Sequence, residues 1–278
     1  MSATISPAAV KTLRDRTNAP MMACKSALTE ANGDMEKAVE IIRSRFKDAV
    51  VKFGEREAAE GRIATHVDNA KKVGVILELR CESAPVTKSE QFIALANFLA
   101  REAAENNLDS VEALLAHPKA TEKITETVGL IRENMKPARL ARLSGGVQGS
   151  YIHHDGTTGV LLQAEGDKAD DQVLRDVCMH VVARNPLYGR REDVPAAVID
   201  KEKEIARAHI DADPKNKSKP ANILEKITEG KLNTWFGDNV LVEQAFVKDD
   251  TRKVGDVLKA AGLTLVKFVR YKVGEKSS

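Results

Sequence analysis

Residues 61–79, GRIATHVDNAKKVGVILEL, and residues 146–164, GVQGSYIHHDGTTGVLLQA, carry one pattern twice. A shift of 85 positions puts Gly61 on Gly146, Gly74 on Gly159, Val75 on Val160 and Leu77 on Leu162 without a gap. Conservative pairs fill the frame: Thr65 with Ser150, His66 with Tyr151, Val67 with Ile152, Ile76 with Leu161. Each copy predicts strand, turn, strand, with hairpin-type turns at Asp68-Asn69 and Asp155-Gly156. A helical pattern follows each copy: Phe92, Leu95, Ala96, Leu99 and Ala103 after the first, Val173, Leu174, Val177, Val181 and Val182 after the second. Two related antiparallel sheet-plus-helix subdomains, hence an α+β protein, are the expectation.

The second strand of the first copy runs into VGVILELRCESAPVTK, residues 73–88. Val73 to Leu79 is an apolar, β-branched run that predicts a buried strand. Cys81 to Thr87 is a polar tip, and Pro85 forbids the strand from continuing. Thr87 and Glu90 stand at capping-box spacing, so a helix is expected to begin at Thr87. A short stiff tip between a strand and a helix is a place where folds present contacts.

Composition bounds the rest. A chain of 278 residues suits about two domains. With 43 Lys+Arg against 41 Asp+Glu the formal charge is +2, which gives no basic excess for nucleic acid, and 4% aromatics provide little base-stacking surface. There is no apolar run of about 18 residues for a membrane span, and the N-terminus lacks the apolar core of a secretory signal. Cys24, Cys81 and Cys178 lie far apart with no Cys-x-x-Cys, which fits a reducing compartment.

The first 45 residues predict three short helices. Ser6-Pro7 starts one and Thr17-Asn18 interrupts it. Pro20 opens a second that Gly33 stops, and Asp34 caps a third with Met35, Ala38, Val39 and Ile42 inward. Spacing puts Met22 and Leu28 in the core and leaves Met21 for contact. Residues 46–60 predict an exposed, partly helical linker rich in charge. Residues 61–138 then form the first core subdomain, and 139–193 with 236–278 the second. Helical stretches are expected at about 110–117 and 121–136, and Arg139–Ser144 as a strand leading into the second subdomain. Residues 194–235 predict an antiparallel helical hairpin inserted around the turn-rich DADPKNKSK, residues 211–219, and expected to project. Asn239–Val247 reads as a strand, Val254–Ala261 as a short helix closed by Gly262, and Leu263–Val273 as a final strand that completes the second sheet.

Catalytic signatures are missing. There is no phosphate loop of the Gly-x-x-x-x-Gly-Lys or Gly-x-Gly-x-x-Gly type. His153-His154-Asp155 invites a metal reading, but neighbouring hairpin residues point to opposite faces, so the imidazoles are not expected to share an ion. Cys178-Met179-His180 lies on a helix where adjacent side chains diverge, so no Cys–His nucleophile is expected. A binding protein without a cofactor is the reading.

Several motifs in fixed order carry a family likeness. They are Leu13-Arg14-Asp15-Arg16-Thr17, Met21-Met22-Ala23-Cys24-Lys25-Ser26-Ala27-Leu28, Glu30-Ala31-Asn32-Gly33-Asp34, Gly74–Cys81, and Gly149-Ser150-Tyr151-Ile152-His153. Further on come Met179-His180-Val181, Glu225-Lys226-Ile227-Thr228-Glu229-Gly230-Lys231, Val254-Gly255-Asp256-Val257-Leu258 and Phe268-Val269-Arg270-Tyr271-Lys272-Val273-Gly274. Nearly end to end, the chain resembles bacterial translation elongation factor Ts, the guanine-nucleotide exchange factor for elongation factor Tu.

The resemblance implies a ubiquitin-associated-like N-terminal bundle, two related core subdomains and an inserted antiparallel coiled coil. It implies a cytoplasmic protein that binds elongation factor Tu and promotes GDP release by disturbing the Mg²⁺/phosphate site, with no bond made or broken and no cofactor of its own. Direct nucleic-acid or membrane binding is not implied, and pairing of two copies through the second sheet is left open. Carried over by motif, Leu13, Arg14, Thr17, Met21, Met22 and Lys25 form the partner-docking module. Ser83, Ala84, Pro85 and Val86 form the region that dislocates Mg²⁺. Glu82, His153 and His180 are further contacts. In the family the tip reads Thr-Asp-Phe-Val; here neither the acid nor the aromatic is present. An alternative is therefore a module that binds elongation factor Tu with weak exchange or none.

Overall fold

The computed structural model describes residues 5–216 and 219–275. The first four residues of the N-terminal module, residues 217–218 of the turn-rich break and residues 276–278 of the last segment lie outside the described residues. The chain divides into two compact units: Met1–His66, Val75–Arg142 and Tyr271–Ser278 form one, Val67–Gly74 and Leu143–Arg270 the other.

The first unit begins with three helices, α1 (Pro7–Thr17), α2 (Met21–Glu30) and α3 (Met35–Phe53). Ser6 caps α1 by accepting the Ala9 amide, and Asn18 ends it in the left-handed region at φ 53°. Asp34 caps α3 through the amides of Glu36 and Lys37. Leu13, Cys24, Ala27, Leu28, Ala38 and Ile42 close a shared core. Met22 is a correction: it is 73% exposed. The inward face of α2 is Cys24, Ala27 and Leu28, spaced 3 and 1 apart, and Met22 falls off that stripe.

Residues 46–53 are the helical part of the linker expected there, mostly exposed or half-buried. They continue α3, because Phe46 packs against the bundle core and Phe53 is buried.

Sheet one joins β1 (Glu60–Asp68), β2 (Val73–Cys81) and β3 in the order β1-β2-β3. Every residue from Val73 to Leu79 is buried, so both faces of β2 are covered. A 3₁₀ turn (Val86–Lys88) follows, then α4 (Glu90–Glu105), α5 (Val111–Ala116) and α6 (Pro118–Ile131). The cap of α4 is Ser89, which accepts the Phe92 amide, not Thr87. Pro85 sits in the helical region, so the chain coils before the helix begins, and the Thr87 hydroxyl donates to the Ala84 carbonyl.

Helix α6 packs on α3, and at Gly129 the approach is tight: a Cβ there would stand 2.1 Å from the Phe46 ring. Arg132 ends α6 at φ 67°, four residues before the expected helix would have run out at Lys136. Lys136 instead starts β3 (Lys136–Ser144), which takes its place in sheet one.

The second unit is built on β4 (Val147–Ile152) and β5 (Thr158–Glu165), antiparallel with Val147 opposite Ala164 and Ile152 opposite Gly159. Helix α7 (Asp171–Arg184) packs on both strands. Next come α8 (Ala196–Ala212) and α9 (Ala221–Asn239), which pack against each other as a helical hairpin. Val194, Phe236 and Val240 form a small core at its base. Asn239–Val247 is not one strand. Helix α9 runs through Asn239, a 3₁₀ turn takes Leu241–Glu243, and only Ala245–Phe246 (β6) pairs with β7 (Asp249–Lys253). Helix α10 (Val254–Ala260) leads to β8 (Thr264–Lys272), which completes the order β4-β5-β8.

The two sheets therefore follow one plan, and two glycines show why the repeat is strict. A Cβ on Gly61 would meet the Leu79 carbonyl oxygen at 2.5 Å, and one on Gly146 would meet that of Ala164 at 2.3 Å. Both pairs sit at the same positions of the duplicated pattern, so the same backbone approach excludes any side chain in each copy.

Candidate functional site

The docking residues expected on the bundle separate into a scaffold and a surface. Leu13 is fully buried, so it belongs to the core of the module and not to its surface. Thr17 is half-buried, with its hydroxyl donating to the Leu13 carbonyl and accepting the Ala19 amide. It shapes the turn into α2. The surface consists of Arg14, Met21, Met22 and Lys25, all exposed. Arg14 and Met21 line one side of an open groove of about 760 Å³, with Gln91, Ala94 and Leu130 opposite. Met22 and Lys25 line a shallower hollow of about 420 Å³ with Thr29. Two long unbranched thioether side chains at 58% and 73% exposure are a pliable apolar surface.

The tip after β2 is the second part. Ala84 and Pro85 are exposed, while Ser83 and Val86 are half-buried. Beneath it the polar groups are paired. The Ser83 amide donates to the Glu133 carboxylate at 3.1 Å and its hydroxyl at 2.5 Å. Glu82 accepts the Asn134 amide at 2.6 Å and lies 3.5 Å from Arg56. The Asn134 side chain donates to the carbonyls of Gly54 and Arg56. The Cys81 thiol is pushed up to about 12 by burial and by the Glu133 charge, so it stays protonated and inert. Glu133 and Asn134 were not expected here. They lie 50 residues along the chain from the tip, and no local pattern joins them to it.

The histidines in the second unit fare differently. His180 is fully buried, which overturns a contact role. Its Nδ1 accepts the Val247 amide at 3.1 Å and Nε2 faces the Gln244 side-chain oxygen at 2.9 Å. Burial holds its pKa below the usual histidine range. His153 is half-buried at the end of β4, with Nδ1 3.4 Å from the Tyr151 hydroxyl. The rings of His153 and His154 do not diverge as expected. Their centroids are 4.3 Å apart, because the chain leaves the strand at Ile152 and the alternation of faces ends there. Among the described residues no three His, Cys, Asp or Glu side chains come together to hold a metal. No helix among them is long and apolar enough to cross a membrane.

The site is thus a set of exposed surfaces on buried supports, suited to touching another macromolecule. The family model for elongation factor Ts matches residues 82–275. Elongation factor Ts of Clostridium botulinum (strain ATCC 19397 / Type A) is 39% identical, the match covering 98% of this chain and 93% of the relative. Elongation factor Ts of Clostridium perfringens (strain SM101 / Type A) is 38% identical over the same shares. With both the duplicated sheets and the N-terminal bundle inside that span, the chain belongs to the elongation factor Ts family.

Proposed function

We propose that the protein is a cytoplasmic translation elongation factor that binds elongation factor Tu and speeds its exchange of GDP for GTP. The observation that carries this reading is membership of the family over 98% of the chain. The physics is linkage. GDP is held by backbone amides around its phosphates and by a Mg²⁺ ion with strict octahedral needs. A partner that favours the distorted, metal-free site weakens nucleotide, and nucleotide weakens that partner by the same factor. No bond is made or broken.

In this reading residues 1–45 are the docking module, with Met21 and Met22 as apolar anchors and Arg14 and Lys25 beside them. The tip Ser83–Val86 stands against the Mg²⁺/phosphate site, with Glu82 and His153 at the edge of the contact. Residues 61–138 are one core subdomain, 139–193 with 236–278 the other, save that β3 (Lys136–Ser144) lies in the first sheet, and 194–235 an inserted hairpin. The test loads elongation factor Tu with fluorescent GDP and follows release. Unchanged release at micromolar protein would sink the reading.

A second reading is favoured by one observation, the sequence Ser83-Ala84-Pro85-Val86. Ala84 brings no charge to a metal site, and Pro85 offers less contact area than an aromatic ring. A module that binds without exchanging would give a stable complex and no faster GDP loss in the same assay.

A further inference from the structure

Residues Ser83 to Ser89 coil tightly. The carbonyls of Ser83, Ala84, Pro85 and Val86 accept the amides three residues on, at 3.2, 3.2, 3.2 and 3.0 Å. Such a coil is stiff within itself, but none of these bonds fixes its direction against the body. That direction is set from outside. Both oxygens of the Glu133 carboxylate are spent on Ser83, one on its amide and one on its hydroxyl. The next residue returns the contact, since the Asn134 amide donates to Glu82. Glu82-Ser83 and Glu133-Asn134 thus interlock, each acid holding the amide of the residue that follows the other. The Asn134 side chain, bonded to the carbonyls of Gly54 and Arg56, ties the lock to the end of α3. Ala84 and Pro85 have no polar side chain to hold them in place, so their aim depends on Ser83.

We infer that Glu133 is a positioning residue for exchange: it aims the Ala84–Pro85 tip, and without it the tip is free to swing. The inference rests on the exchange reading above and adds a residue outside the tip itself. A tip that swings must be ordered when the partner is pushed. The loss therefore falls on the maximal rate of GDP release and not on docking, which the bundle provides.

The experiment measures GDP release from elongation factor Tu over a concentration series, and amide hydrogen exchange of the free protein. Glu133→Ala is expected to lower the maximal release rate about tenfold, the scale of one charge-assisted bond, and to shift half-saturation less than about threefold. It is also expected to speed hydrogen exchange at the Ser83 amide, which loses its acceptor, while amides in α1 and α2 keep their protection. Ser83→Ala removes one of the two bonds, so its loss is smaller, and adding it to Glu133→Ala costs nothing further. Glu133→Gln, which keeps an acceptor, falls between.

A wild-type maximal rate in Glu133→Ala overturns the inference. So does a double variant whose losses multiply, or unchanged exchange at the Ser83 amide. If the wild-type protein leaves GDP release unchanged, the exchange reading fails and the assignment of Glu133 to exchange fails with it. The hydrogen-exchange arm still decides whether Glu133 holds the tip.

Discussion

The side-chain oxygen of Gln244 lies 2.9 Å from Nε2 of His180, and both residues are buried. Because the Val247 amide donates to Nδ1, the proton sits on Nε2 and points at Gln244. A second proton would have to displace the Val247 amide inside a core shared with Phe246, whose ring is 5.9 Å away. His180 is therefore held neutral, and its lowered pKa makes stability depend on pH. The unfolded chain takes up the proton first. This contribution is complete above the ordinary histidine value of about 6.5 and is lost as pH falls from there towards the lower folded value. The urea midpoint of the wild type is expected to drop between pH 7.5 and pH 5.5. His180→Asn should start lower and drop less; an equal drop in both would refute this. Asp193 and Glu243, held low chiefly by hydrogen bonds from Arg190 and Arg191, lose their contributions only further down, in the carboxylate range.

The approach of Phe46 to Gly129 makes a packing prediction. Alanine at 129 gains helix propensity worth about 1 kcal/mol, but its methyl would enter the Phe46 ring, and overpacking costs roughly 1–3 kcal/mol. Gly129→Ala should lower the thermal midpoint. Phe46→Leu in the same chain should restore part of it. Simple additivity of the two losses would show that the contact is not what limits residue 129.

Glu78 is fully buried and accepts from Arg80, from Arg139 and from the Gly274 amide. Arg139 also donates to the Lys272 carbonyl and lies over the Tyr271 ring. Removing one partner of a buried pair leaves charge stranded, at a cost of roughly 3 kcal/mol. Glu78→Ala should lose that much in urea unfolding and expose Tyr271–Gly274 to rapid hydrogen exchange. Protection kept at those amides would contradict the anchoring role.

On the bundle, exposure separates two outcomes. Met21→Asp with Met22→Asp should weaken binding to elongation factor Tu by tenfold or more, about 1.4 kcal/mol, with an unchanged thermal midpoint. Leu13→Ala should instead cost roughly 2–5 kcal/mol of stability, as core truncations do. Calorimetry of the free proteins distinguishes them, and a Met pair that unfolds early would remove it from the surface.

Pro85→Ala is expected to change GDP release less than the methionine pair does. The tip residue has neither charge nor ring to lose, and the 3₁₀ coil around it is closed by backbone bonds. A larger loss from Pro85→Ala in the release assay would place the push at the proline itself.

Much of this is legible in the sequence alone, because it is written in periodic patterns. The offset of 85 holds without a gap since strands pair residue by residue, and Gly61 and Gly146 face the same steric wall. Caps such as Ser6 and Asp34 act within three residues of themselves. What was illegible depends on distant parts of the chain. Met22 and Leu28 are both apolar on one short helix, and only the placement of α1 and α3 decides which turns inward. Thr87 and Ser89 both suit a cap; the coil begun at Pro85 selects Ser89. Glu133 reaches Ser83 across 50 residues, and Gln244 reaches His180 across 64. No window of sequence contains either pair.

Helix α3 spans 19 residues, about 28 Å at the usual rise. Its first half closes the bundle through Ala38 and Ile42, and its second half lies on α6 at Gly129. A chimera that exchanges the bundle between relatives and joins at residue 45 would cut this helix between its two tasks. It would leave a resident Phe46 packed on a donor's bundle core while still meeting its own Gly129, so compatible donors must accept that ring. For recombination, the unit of inheritance reaches from Pro7 through Ile131, not to the end of the bundle.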